Sequence, residues 1–446
     1  MIFFFSTILL LANASNKCDP TQIHISLSDD FASQQPLSQN PIRVVFHTED
    51  SCDSAYIQLE TPKGSQKILA TTIDHFQATY SKIAYQTYVH VFDFPHLEYD
   101  QSYQYTCHSD DTSQGPFKFY VPNPFPNDRV NSVVVFGDSD STPVFGMKTI
   151  KFLESLSETN FTAIQAFIHL GDIAYDLEYL GGKHGDNYMN AIQGFAASMP
   201  LMVTFGNHET LQNFSNANMR FKMPSQNHYY SYNLGNMHFV SINLDLAIES
   251  SELLAPMLNW LSQDLQNATA NRAAAPWIIF YTHRPLYCSD NTTGDCENNA
   301  HKFAQLEDIL NQYHVDLFLS GHVHSYERML PIYRGEVAQF ERVSGDDSYR
   351  YIVNPTAPVY IVQGKAGHLG DFEKKPYDGK NFTVTVDMSY SALAIHSLNN
   401  THLHLENLQS KTGKVVDEFY IIKNEKSVIV KEEQMMLAKK FKLIGL

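Results

Sequence analysis

Five apolar runs in this chain stop at a residue able to bind a metal ion: VVVFGD (Val133–Asp138), AFIHLGD (Ala166–Asp172), MVTFGNHE (Met202–Glu209), WIIFYTH (Trp277–His283) and DLFLSGHVH (Asp316–His324). Asp138, Asp172 and Tyr175 offer hard anionic oxygens, Asn207 a neutral amide oxygen, and His283, His322 and His324 imidazole nitrogens. Phenolate and carboxylate suit a hard trivalent ion such as Fe(III). Imidazoles with an amide oxygen suit a borderline divalent ion such as Zn, Fe(II) or Mn. The set is too large for one tetrahedral zinc. It fits two ions about 3.5–4 Å apart with a carboxylate between them. Fe(III) and a divalent ion together outweigh two aspartates, one tyrosinate and a hydroxide. The site would therefore stay positive, attract phosphate and favour hydrolysis.

Positioning these groups requires buried strands with loops at one sheet edge. Short apolar runs ending in Gly read as such strands of a layered α/β fold, which places ligands at its strand ends. In GDIAY, Asp172 and Tyr175 are three apart, so one turn can aim both at the same ion. In GHVH, an extended segment would point His322 and His324 the same way. Gly137, Gly171, Gly206 and Gly321 each precede a ligand and allow close backbone approach. His208, beside Asn207, is a candidate to contact substrate or protonate a leaving oxygen, with Glu209 to orient it or tune its pKa. Each element alone is commonplace: GD is a frequent turn, and a lone His is more often a core residue. The ordered set carries the reading. His169 reads as structural, His184 as a loop residue near the cleft, and His228, His238, His396, His402 and His404 as structural or surface.

The 446 residues suffice for two or three domains, and 43% hydrophobic against 18% charged content marks a globular chain. A net charge of −17 argues against nucleic acid as a partner. Residues 1–14 (MIFFFSTILLLANA) are too short to span a bilayer and end in a small-x-small pattern, so they read as a signal peptide. No other stretch reads as a membrane span. Six N-x-[ST] sites (Asn160, Asn213, Asn267, Asn291, Asn381 and Asn399) suit a secreted or endolysosomal glycoprotein. Of five cysteines, Cys288 and Cys296 are placed to staple a loop. Cys52 and Cys107 are candidates to pair, leaving Cys18 over and allowing a homodimer; the connectivity stays open.

Residues 18–122 alternate apolar and polar positions in an all-β pattern, a sandwich of about a hundred residues. VPNPFPND (Val121–Asp128) reads as a linker. From 130 to 423 strands alternate with helices, expected at Thr149–Ser157, Glu252–Asn267 and Ala300–Tyr313, and a β region then packs a second sheet on the first. Residues 424–446 form a weakly amphipathic tail.

At these motifs the chain resembles the larger two-domain, type 7 animal purple acid phosphatases, within the calcineurin-like metallophosphoesterases. The family pattern GD, GDxxY, GNH[DE], VxxH and GHxH reads here as Gly137-Asp138, Gly171 to Tyr175, Gly206 to Glu209, FYTH ending in His283, and Gly321 to His324. HRPLYCSD, GHVHSYERMLPIY and the THLHLENL segment extend the likeness over most of the chain. The resemblance implies a fibronectin-like N-terminal β-sandwich before a layered α/β metallophosphoesterase domain with mixed sheets. It implies Fe(III) on Asp138, Asp172, Tyr175 and His324, a divalent Zn, Fe or Mn on bridging Asp172, Asn207, His283 and His322, and purple colour from Tyr175. Asn207 and His208 would contact substrate. The family's usual Gly two residues after the first Asp is replaced by Asp140, and the Val of VxxH by Phe280. Plant members carry further histidines after VxxH; here only His301 is available as a substrate contact.

The implied activity is an acid phosphatase: hydroxide held by the ions attacks small phosphate monoesters at acidic pH, and His208 aids departure of the alcohol. The alternatives are a phosphodiesterase or nucleotide hydrolase on the same site, a redox-active iron glycoprotein, and a binding protein using its β-sandwich.

Overall fold

The computed structural model describes residues 16–28, 42–94, 97–123, 129–224, 227–290, 294–368 and 379–423. The 1–14 leader, the 424–446 tail, Asn291 and much of the Val121–Asp128 linker lie outside them.

Period-two patterning builds the N-terminal region. Along Ser102–Ser109, Tyr103, Tyr105 and Cys107 turn inward while alternate residues face out. Two four-stranded antiparallel sheets result. One runs Thr21–Leu27, Ile42–Thr48, Ile83–Phe94, Thr72–Tyr80; the other Gly64–Leu69, Ala55–Thr61, Ser102–Ser109, Thr112–Tyr120. They face each other through Phe94, whose ring lies 5.8 Å from Tyr105 and 5.4 Å from Phe119.

The cysteines pair differently from the expectation. Cys18 bonds Cys52, with Cα atoms 5.9 Å apart, and Cys107 is a free, buried thiol. Strand register is the cause. Thr21 sits opposite His47, so the residues just before one strand and just after the other meet, whereas alternation turns Cys107 into the core. The leftover thiol that allowed a linked dimer is therefore used within the chain. Cys288–Cys296 forms as expected.

The rest of the chain carries two mixed sheets. In the first, Leu201–Val203, Ile164–His169 and Asn131–Phe136 run parallel, followed by antiparallel Ser391–Ser397, His402–Gln409 and Val415–Ile422, then Tyr351–Val353 and Glu341–Arg342. In the second, Met237–Ile242, Trp277–Tyr281, Leu317–Ser320 and Val359–Gln363 are parallel, flanked by Tyr229–Leu234 and Tyr326–Tyr333. The parallel strands are buried at every position, as expected where both faces are covered. Both sheets feed one continuous apolar core.

Helices occupy Gly146–Thr159, Lys183–Ala196 and Leu254–Ala270, the last with Pro256 in its tolerant first turn. The single helix expected over Ala300–Tyr313 is two, Asp295–Lys302 and Ala304–Gln312, broken at Phe303. Among the described residues no helix is long and apolar enough to cross a membrane.

Arg220, fully buried, joins the two regions. Its guanidinium donates to Asp186 (3.0 Å), the Tyr85 hydroxyl (3.1 Å), the Gly182 carbonyl (3.2 Å) and Gln22. Gln22 and Tyr85 belong to the N-terminal sheets. The amide of Ile23 also donates to Gln193 at 2.9 Å.

Candidate metal centre

Among the described residues the two sheets hold seven such buried parallel strands, and the loops after five of them carry the seven candidate ligands. His283 ties the sheets together: its Nδ1 donates to the Leu170 carbonyl at 2.8 Å, and Gly321 N donates to the His283 carbonyl at 3.0 Å.

The side chains fall into two groups sharing Asp172. In one, the Tyr175 hydroxyl lies 3.2 Å from Asp138 Oδ1 and 2.7 Å from His324 Nε2, itself 3.5 Å from Asp138 Oδ1. In the other, His283 Nε2 lies 3.2 Å from both Asp172 Oδ1 and Asn207 Oδ1. The donor atoms of Asp138, Asp172 and His324 are within 4.8 Å of one another, as are those of Asp172, His283 and His322.

Donor chemistry tests whether this set suits cations. The Leu170 carbonyl can only accept, so His283 Nδ1 carries a hydrogen. Nε2 then faces two oxygens that also only accept, and positive charge belongs between them. Without a metal, a proton fills that role. Burial opposes charge on His283, yet the Asp172 carboxylate outweighs it and lifts its pKa to about 10. Burial raises Asp138; the cationic His283 outweighs burial at Asp172 and holds it below the ordinary range. Burial and nearby His283 and Arg284 hold His322 at about 4, leaving it a lone pair to donate. The residues fit a pair of cations.

The backbone is strained where the ligands sit. Asp138 (φ 60°), Asp172 (53°), Tyr175 (54°) and His322 (68°) all adopt the left-handed region, at roughly 1–3 kcal/mol each. GHVH is therefore not extended: the turn at His322 lets its amide donate to both Asp138 oxygens, at 3.0 and 2.9 Å. Two glycines are required by close approach. A Cβ on Gly206 would stand 2.3 Å from Asp172 Oδ1, and one on Gly321 2.4 Å from Asp138 Oδ2.

His208 sits in a short 3-10 turn (Asn207–Glu209), its Nδ1 2.9 Å from Asp176 Oδ1 and its Nε2 3.9 Å from Asp172 Oδ2. Glu209 is wholly buried and turns its carboxylate to backbone amides. Its carboxylate accepts from the amides of Gly206 (2.7 Å), Ile173 (2.7 Å) and Asp172 (3.0 Å). Burial and the Asp172 charge push its pKa to about 8, against the amides that favour its anion. His301 is not brought to the seven; it is exposed and lines a separate cleft of about 560 Å³ with Tyr287, Phe382 and Lys380. His169 is structural, accepting from Gly171 N at 3.1 Å and meeting Ser139 and Tyr188. Asn213, Asn267, Asn381 and Asn399 are exposed and Asn160 is half-buried.

The motifs did not reveal four neighbours. Arg284 Nη1 and Asp295 Oδ2 lie 2.8 and 3.0 Å from His322 Nε2, and Arg284 is anchored on Asp245 at 2.8 Å. Asp176 holds His208, and the His368 ring lies 3.7 Å from that of Tyr175. Arg284 and Asp176 directly follow expected ligands, and that adjacency was a usable signal. Asp295 and His368 gave none.

Comparison with known proteins bears on the family and the fold. Residues 147–326 match the family model "Calcineurin-like phosphoesterase", a span that opens just after Asp138, and residues 357–418 match "Iron/zinc purple acid phosphatase-like protein C". Acid phosphatase type 7 of Mus musculus is 33% identical over 75% of this chain and 77% of its own length. The Homo sapiens protein of that name is 37% identical over 58% of this chain; the match spans 61% of the human protein, less than two thirds of it. The solved purple acid phosphatase PPD1 from yellow lupin seeds shares the fold, with a TM-score of 0.77 at 19% identity over 94% of this chain and 78% of that one.

Proposed function

Since this chain belongs to the purple acid phosphatase family of calcineurin-like phosphoesterases, we propose that it hydrolyses small phosphate monoesters at acidic pH on a binuclear centre. Fe(III) would rest on Asp138, Asp172, Tyr175 and His324, and a divalent Zn, Fe or Mn on Asp172, Asn207, His283 and His322. The observation that carries this reading is His283 Nε2 confronting two acceptor oxygens at 3.2 Å. When bound, the ions supply positive charge that polarises a phosphoryl oxygen and acidifies water.

The chain's own residues do the rest. Asp172, shared by both groups, fixes their spacing. His208, with Nδ1 held by Asp176, presents its other nitrogen beside Asp172, where it can give a proton to the departing oxygen. Glu209 acts on position, by holding three amides of the ligand loops. Arg284 brings a permanent cation to the edge of the site through His322, suited to a phosphate oxygen. His301 is a weaker candidate for substrate contact, from the neighbouring cleft. The N-terminal sheets, residues 18–122, fit a fibronectin-like support domain, and 130–423 the catalytic one. A leader at 1–14 and six sequons suit secretion or the endolysosome.

Purified protein with its ions should hydrolyse p-nitrophenyl phosphate faster than bis-p-nitrophenyl phosphate, and best below neutrality across roughly pH 4–8. A full metal complement without monoesterase activity contradicts the proposal; a faster diester rate moves the reading to phosphodiesters.

A further inference from the structure

A second group of donors lies away from the catalytic edge. His404 and Glu406 are two apart on the His402–Gln409 strand and so share a face. Register sets His396 directly opposite His404, with Tyr420 opposite His404 on the other side and Glu418 opposite Glu406. The next strand adds Ser132, paired with His396. Donor atoms of His396, His404 and Glu406 lie within 4.8 Å of one another. Ser132 is near the start of the strand whose end delivers Asp138, so the group sits about 20 Å from the metal centre at strand rise.

Each imidazole is oriented from outside the group. His396 Nδ1 meets Ser132 Oγ at 2.8 Å. The His404 ring stacks on Tyr420 at 4.3 Å, and its Nε2 lies 3.1 Å from Glu418 Oε1, a carboxylate that Arg350 holds from the other side. His396 is 5% exposed, and its Nε2 makes no hydrogen bond although Glu406 Oε2 is 3.3 Å away. That buried ring nitrogen, with the Glu406 carboxylate as its ion-pair partner, lies inside a set of donors of the kind that ligate a cation. Imidazoles fixed through their other nitrogen are typical of metal ligands.

We propose that His396, His404 and Glu406 bind one divalent cation of borderline character, Zn2+ foremost. Two nitrogens and carboxylate oxygens suit tetrahedral Zn2+. Carried on adjacent strands of the first mixed sheet, next to Asn131–Phe136, the ion would fasten these strands together and take no part in catalysis.

The test is titration of the wild-type holoenzyme, its two catalytic ions in place, with Zn2+ alone. One further ion per chain is expected to bind saturably, raising the thermal midpoint. In Glu406→Gln and His404→Gln that ion and its thermal shift disappear while phosphatase turnover stays within twofold. No additional site in the wild-type titration, which needs no variant to fold, overturns the proposal. So does equal zinc content in wild type and folded variants, which would make the group a simple His–Glu ion pair.

Discussion

His208 is reached through its backbone as much as its ring. Its amide donates to Asp172 Oδ1 at 3.1 Å while Asp176 grips Nδ1, so truncation removes the proton donor without removing a ligand. His208→Ala should lower turnover of an alkyl phosphate about 10²–10⁴-fold but spare p-nitrophenyl phosphate, whose leaving group needs little protonation. Metal content, measured alongside, should not change. Equal losses on both substrates would mean that His208 serves in binding or placement instead. The candidate ligands were legible because their loops open just beyond apolar runs; Asp138 follows VVVFG and His283 follows WIIFYT. Asp295 was not, since only the Cys288–Cys296 staple and the helix after it carry Asp295 to His322. Spacing along the chain contains no trace of that fold-back.

At the scale of elements, the ligand loops are strained turns held by a carboxylate beneath them. Glu209 accepts from Gly206, Asp172 and Ile173 and thereby clamps two loops of neighbouring strands. Glu209→Gln keeps the shape but sets an amide NH2, which can only donate, against backbone N–H groups that both carboxylate oxygens accept from. Metal retention against a chelator should fall about 10–100-fold, with Asp at this position no rescue because it is too short. Unchanged retention would mean that the strained turns hold by themselves. GNHE singled out Glu209 but not its contacts: its neighbour in sequence is His208, whereas two of its three amide partners, Asp172 and Ile173, come across from another strand. GHVH similarly suggested an extended pair, and the left-handed turn at His322 replaced it because the His322 amide is needed by Asp138.

The whole molecule rests on contacts between the N-terminal sheets and the catalytic part, with Arg220 at their centre. Arg220→Ala strips Tyr85, Gln22 and the Gly182 carbonyl of a buried donor and leaves the half-buried Asp186 with Lys183 at 3.4 Å; it should cost about 1–3 kcal/mol, read as a lower urea midpoint. A loss below about 1 kcal/mol would show that the interface holds without Arg220. Alternation made the sheets legible in the sequence, but Arg220 belongs to no motif. Cys18–Cys52 depended on strand register, which composition does not reveal.

Stability should also depend on pH. Burial keeps His24 and His90 neutral, with pKa values near 4. In the unfolded chain they take up a proton near pH 6.5, so stability is full above that value. It then falls as pH drops toward about 4, by up to about 1.4 kcal/mol per unit for each histidine. Thermal midpoints measured from neutrality downward should decline over that window; a flat profile would contradict the neutral assignment.

The most direct test of the central claim is anomalous diffraction from crystals of the purified protein at the iron and zinc absorption edges. Two peaks about 3.5–4 Å apart, enclosed by Asp138, Asp172, Tyr175, Asn207, His283, His322 and His324 with Asp172 between them, are the predicted result. A single peak there, or none while the side chains keep their places, would contradict it.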